Sequence, residues 1–312
     1  MTDRPATAPD ATGDARSAAA ARLPERIAFL GFGLIGGSIA MAIREAGSQA
    51  HLVAWTPSER GPAEGARRGI IDPPASSARE ALDGADLVVL AGPPLAIVGM
   101  MAVGGTLQGL GPDATVTDVG STKGRIGAAA DAAGLRFVGG HPMAGREVSG
   151  VDGATAELFV DRPWVIVPGR HATEQDTARV ESLALATGAR PIRMAADEHD
   201  VAVAAISHLP LVLSAALVES VAGLYGDGTT WPLARRLAAS GWADMTRLAK
   251  GDPEMGAGIV ATNQEAIADR LVALRNALQT WIDWLTFEGA DADVIRDELA
   301  RARRVLEEPE TP

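Results

Sequence analysis

The chain of 312 residues contains no cysteine, which excludes a disulfide framework, thiolate chemistry and any Cys-ligated metal, and fits a reducing cytoplasm. Aromatic residues make up only 4%, with a single tyrosine, and small residues dominate. Positive charge is in deficit. A net charge of -12 argues against nucleic acid or an anionic membrane as a partner, since both need a basic footprint. An acidic protein that takes an anionic substrate must therefore concentrate its few cations locally. There is no HExxH pattern and no pair of histidines four residues apart, so no metal site is expected. The sequence reads as having no charge-free apolar stretch of about 18 residues, and its first 24 residues lack a basic segment followed by an apolar one. Neither a membrane span nor a secretory signal is expected.

What is present is ordinary for a globular protein, with 47% hydrophobic and 22% charged residues, and the length suggests about two domains. Residues 1–24, rich in Ala, Thr, Asp and Pro, read as a disordered leader, and 307–312 as a tail of the same kind. Short apolar runs at Arg26–Leu30, Leu52–Trp55, Ala85–Ala91, Val116–Val119, Phe137–Val138, Trp164–Val167 and Pro191–Met194 alternate with Ala-rich helical patterns. That alternation predicts an α/β fold, a doubly wound and largely parallel Rossmann-type sheet over residues 25–195. Residues 196–306 read almost entirely as helix. Asp252-Pro253 supplies an N-cap and a first-turn proline, and Ile259, Ile267, Leu271, Leu274, Leu278, Ile282 and Leu285 then recur at helical spacing towards Gly289. The pattern predicts one helix of about 35 residues, too long for a small domain to cover, and hence a homodimer through the helical domain.

Gly31-x-Gly33-x-x-Gly36 lies directly between the first strand and the first helix of the sheet. There it gives the turn, the close backbone approach and the helix dipole that a dinucleotide pyrophosphate needs, making Gly31, Gly33, Leu34, Ile35 and Gly36 candidate cofactor-binding residues. About 20 residues on, where a carboxylate usually marks NAD, stand Trp55-Thr56-Pro57-Ser58 and Arg60. Thr56, Ser58 and Arg60 can hold a 2′-phosphate, so the reading leans to NADP; Glu59 in the same loop leaves NAD open.

His141 follows a strand and precedes Pro142, where its imidazole can project into the cleft at the carboxyl ends of the strands and take a hydroxyl proton as hydride leaves the same carbon. A histidine that only ties its loop is the other reading. Ser121 can hydrogen-bond both the imidazole and the hydroxyl, or simply cap the next helix. His208 stands two residues before Pro210 in an apolar helical run, where the proline should break or kink the helix and free the imidazole, unless His208 is structural. Arg247 lies three residues after Asp244, a spacing that suits either a surface ion pair or a guanidinium oriented to grip a carboxylate.

The Gly31 fingerprint, Asp118-Val119-Gly120-Ser121-Thr122-Lys123, Gly140-His141-Pro142-Met143-Ala144-Gly145-Arg146-Glu147, Asp197-Glu198-His199-Asp200, Ser207-His208-Leu209-Pro210 and Asp244-Met245-Thr246-Arg247-Leu248-Ala249 occur in the order found in the prephenate/arogenate dehydrogenase family of tyrosine biosynthesis. The resemblance is collinear from about residue 25 to 290. It implies a dinucleotide-binding domain followed by a helical dimerisation domain, and oxidative decarboxylation of a cyclohexadienol. His141 would take the C4 hydroxyl proton, Ser121 would orient the hydroxyl, Arg247 would bind a substrate carboxylate, His208 would line the pocket, and Glu147 and Asp244 would hold or gate Arg247. Two positions depart from the family: Arg146, where a small or hydroxylic residue is common, and Gly256, where a tryptophan is common. Two rival readings remain. A 3-hydroxyacid-type dehydrogenase would need a catalytic lysine in the helical half, where Lys250 is the only lysine after residue 123; a non-catalytic dinucleotide-binding protein would need none of these side chains together.

Overall fold

The computed structural model describes residues 11–146, 148, 150–223, 229–286 and 291–308. Seven strands form one sheet: β1 (Arg26–Leu30), β2 (His51–Trp55), β3 (Leu87–Leu90), β4 (Thr115–Asp118), β5 (Phe137–Pro142), β6 (Pro163–Pro168) and β7 (Arg190–Arg193), in the order β2-β1-β3-β4-β5-β6-β7. Only the β5–β6 pair is antiparallel. Strands covered on both faces need apolar residues throughout, which is why Ile27, Ala28, Phe29 and Leu30 are consecutive and all buried. One face packs on the helices Ala11–Ala20, Leu34–Glu45 and Glu174–Ala186, the other on Ala78–Leu82, Pro94–Met101 and Gly124–Ala132. From β1 the chain runs to β2 on one side and then to β3 on the other. This order reversal opens a crevice at the carboxyl ends of the strands. The loops after β1, β3 and β4 and the end of β5 all meet at that edge.

The leader is shorter than the sequence suggests. Ala11–Ala20 is a helix, not disordered chain, because Ala19 and Ala20 bury against the sheet layer and Arg16 donates to the backbone carbonyls of Ala186 and Ala42. Residues 1–10 lie outside the described residues, as do 309–312 of the expected tail; Glu307 ends the helix Ala292–Glu307.

After β7 every described element is helical. The run Ala196–Ala222 is long and apolar enough to cross a membrane by length and composition alone, which corrects the expectation of no such stretch: Val201 to Val218 carries no Asp, Glu, Lys or Arg. Only 22% of its most apolar window is buried within the chain. Pro210 does not break this run. A π-helical turn, Ala204–His208, absorbs the proline, with the Leu209 N–H donating to the Ala204 carbonyl before the helix resumes as Leu209–Ala222.

The expected helix of about 35 residues is instead two, Pro253–Thr262 and Gln264–Thr286, broken at Asn263. The Asp252 side chain caps the first as expected, accepting from Glu254 N at 2.8 Å. The break has a local cause. Asn263 leaves helical geometry at φ -136°, ψ 38°, and its side chain turns inward to donate to the Asp200 carbonyl at 2.8 Å.

Candidate active site

The fingerprint loop is shaped by contacts that only glycine allows. Gly31 has φ +102°, and a Cβ there would sit 2.1 Å from the Ala91 carbonyl oxygen after β3; one on Gly36 would sit 2.7 Å from the Gly31 oxygen. A Cβ on Gly33 would meet nothing within 4 Å. Gly33 is the N-cap of Leu34–Glu45 and faces open space at the helix N-terminus, so the cradle has room for a phosphate group against free N–H groups. At the end of β2 the Thr56 and Ser58 hydroxyls lie 3.4 Å apart, and Arg60 is almost fully exposed, 3.7 Å from Asp152.

Beneath the site lies a buried ion pair. Asp118, the last residue of β4, accepts from the Gly120 N–H at 2.8 Å, the Gly140 N–H at 3.1 Å and the Lys123 ammonium. It thereby ties the loop after β4 to the residue before His141. Burial pushes the Asp118 carboxyl up and the Lys123 ammonium down, and each charge opposes the shift of the other.

Above this pair the structure gathers three histidines. His141, at the end of β5, is half-buried, and its Nδ1 lies 2.8 Å from His199 Nε2, with the rings edge to face at 5.0 Å. His199 Nδ1 lies 2.8 Å from Asp200 Oδ1. The Asp200 carboxylate also accepts the N–H groups of Lys123 and Gly124, both at 2.8 Å, at the start of the helix Gly124–Ala132. Its pKa is lowered: burial pushes it up, and the His199 ring with the two backbone N–H groups outweighs that. On the π turn, His208 Nδ1 lies 3.1 Å from the Asn263 amide nitrogen, while its buried Nε2 has no hydrogen bond of ordinary geometry among the described residues. Burial first, then the Lys123 charge and the neighbouring histidines, holds His141 well below the usual imidazole value of 6.5. Burial likewise lowers His208 from 6.5 to about 4, with the Asp200 charge and the Ser121 carbonyl opposing it.

Both imidazoles singled out in the sequence thus share one cluster. Ser121 does not cap the following helix; the N-cap is Lys123, and the half-buried Ser121 hydroxyl has no hydrogen-bond partner among the described residues. Asp244 and Arg247 are exposed in the helical half, and Asp244 forms no ion pair among the described residues; the turn after Arg247 is held by Ser214, whose hydroxyl accepts from Ala249 N at 2.9 Å. Glu147 lies outside the described residues. Arg146 lines an open cavity of about 590 Å³ with Thr155, Glu157 and Arg162. A Cβ on Gly256 would lie 3.7 Å from Leu211, in ordinary contact distance. Lys250 is exposed on the turn Leu248–Lys250.

Sequence reasoning missed the roles of Asp118, Lys123, His199, Asp200 and Asn263. One signal was available for Asn263: the apolar stripe steps from Ile259 to Ile267 across a polar residue at the intervening i+4 position. Among the described residues no cluster suited to a metal ion occurs.

The nucleotide-binding domain model of prephenate dehydrogenase matches residues 39–193, and the dimerization domain model of the same family matches 195–301. The chain is 32% identical over 252 residues to a prephenate dehydrogenase of Bacillus subtilis, covering 80% of this chain and 67% of that one. It is 30% identical over 263 residues to a cyclohexadienyl dehydrogenase of Zymomonas mobilis, with 83% and 88% covered. Among solved structures, an Aquifex aeolicus prephenate dehydrogenase in complex with hydroxyphenyl propionate and NAD+ aligns with a TM-score of 0.80 at 26% identity, covering 91% of this chain and 99% of that one. A Synechocystis arogenate dehydrogenase aligns with a TM-score of 0.70 at 30% identity, with 89% and 99% covered. A 3-hydroxyisobutyrate dehydrogenase of Salmonella typhimurium shares the fold alone, at 16% identity and a TM-score of 0.52 over 81% of this chain and 88% of that one. With both of its domains matched in order, this chain belongs to the prephenate dehydrogenase family.

Proposed function

We propose that the protein oxidatively decarboxylates prephenate to 4-hydroxyphenylpyruvate, arogenate to tyrosine, or both, in tyrosine biosynthesis. The observation that carries this reading is the placement of His141, kept neutral by burial and the Lys123 charge, at the strand edge that also holds the glycine cradle. NAD(P)+, when bound, accepts the hydride from C4 of the ring. His141 takes the C4 hydroxyl proton, with the free Ser121 hydroxyl orienting that group. The ring carboxylate leaves as carbon dioxide, its electron pair completes the aromatic ring, and the proton returns to the new phenol oxygen. Atoms balance with no net proton released. Aromatisation drives the reaction, so the protein chiefly positions reactants and holds one proton in transit. His208 lines the pocket, Arg247 binds a substrate carboxylate, and Glu147 and Asp244 hold or gate Arg247.

Gly31, Gly33, Leu34, Ile35 and Gly36 cradle the pyrophosphate. The exposed Arg60 and the adjacent Thr56 and Ser58 hydroxyls favour NADP over NAD. The working unit is a cytoplasmic homodimer. Leu278 and Ile282 lie one helical turn apart on Gln264–Thr286 and are about half exposed, at 49% and 52%, and the Ala196–Ala222 run is largely uncovered, so a second copy of this domain has an apolar face to bury. Product analysis tests the reaction. The purified protein should release carbon dioxide and an aromatic product in equal amounts with NAD(P)H. Nicotinamide reduction without decarboxylation would contradict the proposal.

A further inference from the structure

The cluster has an order that the proposed reaction does not by itself require. Each hydrogen bond between neutral imidazoles needs one bare nitrogen and one N–H, so the ring states depend on one another. The chain starts at Asp200. Its carboxylate accepts two backbone N–H groups at the N-terminus of Gly124–Ala132 as well as the His199 ring, and three donors plus the helix dipole keep it ionised. An ionised carboxylate only accepts, so His199 carries its proton on Nδ1 and leaves Nε2 bare. A neutral ring avoids burying a further charge at a residue that is 1% exposed. His141 must then donate from Nδ1, and its Nε2 is bare.

The second branch leaves from the same residue. The backbone carbonyl of Asp200 can only accept, which fixes the Asn263 side chain with its NH2 group inward. The same NH2 donates to His208 Nδ1 at 3.1 Å, so His208 carries its proton on Nε2. That N–H is buried and, although the Ser121 carbonyl draws on the ring, it makes no hydrogen bond of ordinary geometry among the described residues. A buried donor without an acceptor costs about 1–3 kcal/mol, and an oxygen brought by the substrate, carboxylate or carbonyl, would satisfy it.

We propose that Asp200, acting through His199 and Asn263, locks the two site imidazoles in opposite tautomers: His141 as a proton acceptor at Nε2 and His208 as a proton donor at Nε2. Asp200, His199 and Asn263 are positioning residues; they touch no substrate. The assignment rests on the reaction proposed above only for its use. When His141 takes the hydroxyl proton at Nε2, its Nδ1–H faces a bare His199 Nε2, and the positive charge is shared along a line that ends on the Asp200 carboxylate. The proton returns along the same path to the phenol oxygen. Lys123, from below, disfavours charge lingering on His141.

The test is a long-range 1H–15N correlation spectrum of the full-length protein, labelled with ring-15N histidine, without ligand near pH 7.5. Exposed His51 and His171 are removed as His→Gln changes to simplify it. The expected spectrum has His141 and His199 protonated on Nδ1 only and His208 on Nε2 only. Asp200→Asn, which replaces an acceptor by a donor, should turn the His141 signal into a tautomer mixture and lower kcat 10- to 100-fold, with KM and cofactor affinity little changed. His141 protonated on Nε2, His208 protonated on Nδ1, or averaged shifts in the parent protein would overturn the proposal, whether or not Asp200→Asn folds. The expected tautomers together with no turnover of prephenate or arogenate would instead refute the reaction and leave the lock standing.

Discussion

Replacing Gly31 and Gly33 separately by alanine should give opposite outcomes from two glycines two residues apart. At Gly31 the added Cβ would lie 2.1 Å from the Ala91 oxygen, at φ +102°. Strain at positive φ costs about 1–2 kcal/mol and overpacking about 1–3 kcal/mol, so Gly31→Ala should lose about 3 kcal/mol. That corresponds to a fall in Tm of about 10 °C. At Gly33 the Cβ would meet nothing within 4 Å, and alanine at an N-cap costs at most about 1 kcal/mol, or a few degrees in Tm. It would, however, fill the space a pyrophosphate needs. The expected loss in cofactor affinity is about 10- to 100-fold, or about 1.4–2.7 kcal/mol. Differential scanning calorimetry and fluorescence titration with NADH and NADPH read the two effects independently. A Gly33→Ala protein that binds both cofactors as tightly as the parent would refute the placement of the pyrophosphate.

Three further outcomes are expected. His208 protonates near 6.5 in the unfolded chain but near 4 when folded, so its contribution is complete above pH 6.5 and is lost as pH falls towards 4. The loss is about 3 kcal/mol; urea titrations across that window should show it, and His208→Gln should flatten the slope. Leu278→Glu with Ile282→Glu should give monomers by light scattering, whereas persistence of a dimer would move the interface elsewhere. Arg60→Ala should reduce kcat/KM with NADP about tenfold or more and leave NAD little affected, because its exposed ion pair with Asp152 adds little to stability; equal effects on both cofactors would remove Arg60 from phosphate recognition.

The sheet was legible because fully buried parallel strands are written as uninterrupted apolar runs, and Arg26–Leu30 matches β1 residue for residue. The glycine turn was equally readable, since the spacing of its glycines after a strand shows in the sequence, even though the Ala91 carbonyl that crowds Gly31 lies on a distant loop. Residues whose partners lie far along the chain were not. Asn263 reads as a polar interruption in a stripe until Asp200, 63 positions away, receives its amide. His199 and Asp200 stand out as a motif, but only the fold brings them to His141, across 58 positions. The same limit explains the leader: Ala11–Ala20 has no strong pattern of its own and is held by Ala186 and Ala42 through Arg16. Pro210, read as a break or a kink, does not end the helix. Its cost to a helix is real, but one wider turn absorbs it without a break.

The most direct test of the account compares initial rates of nicotinamide reduction by the parent protein and by His141→Gln, with prephenate and arogenate each paired with NAD and NADP. The account predicts turnover by the parent in at least one pairing, with kcat/KM falling only below pH 6.5 on the acid side, where His141 gains a proton. It also predicts a loss of about 10²- to 10⁴-fold in kcat for His141→Gln with cofactor affinity retained. No turnover in any pairing by a protein that binds cofactor, or undiminished turnover by His141→Gln, would contradict it.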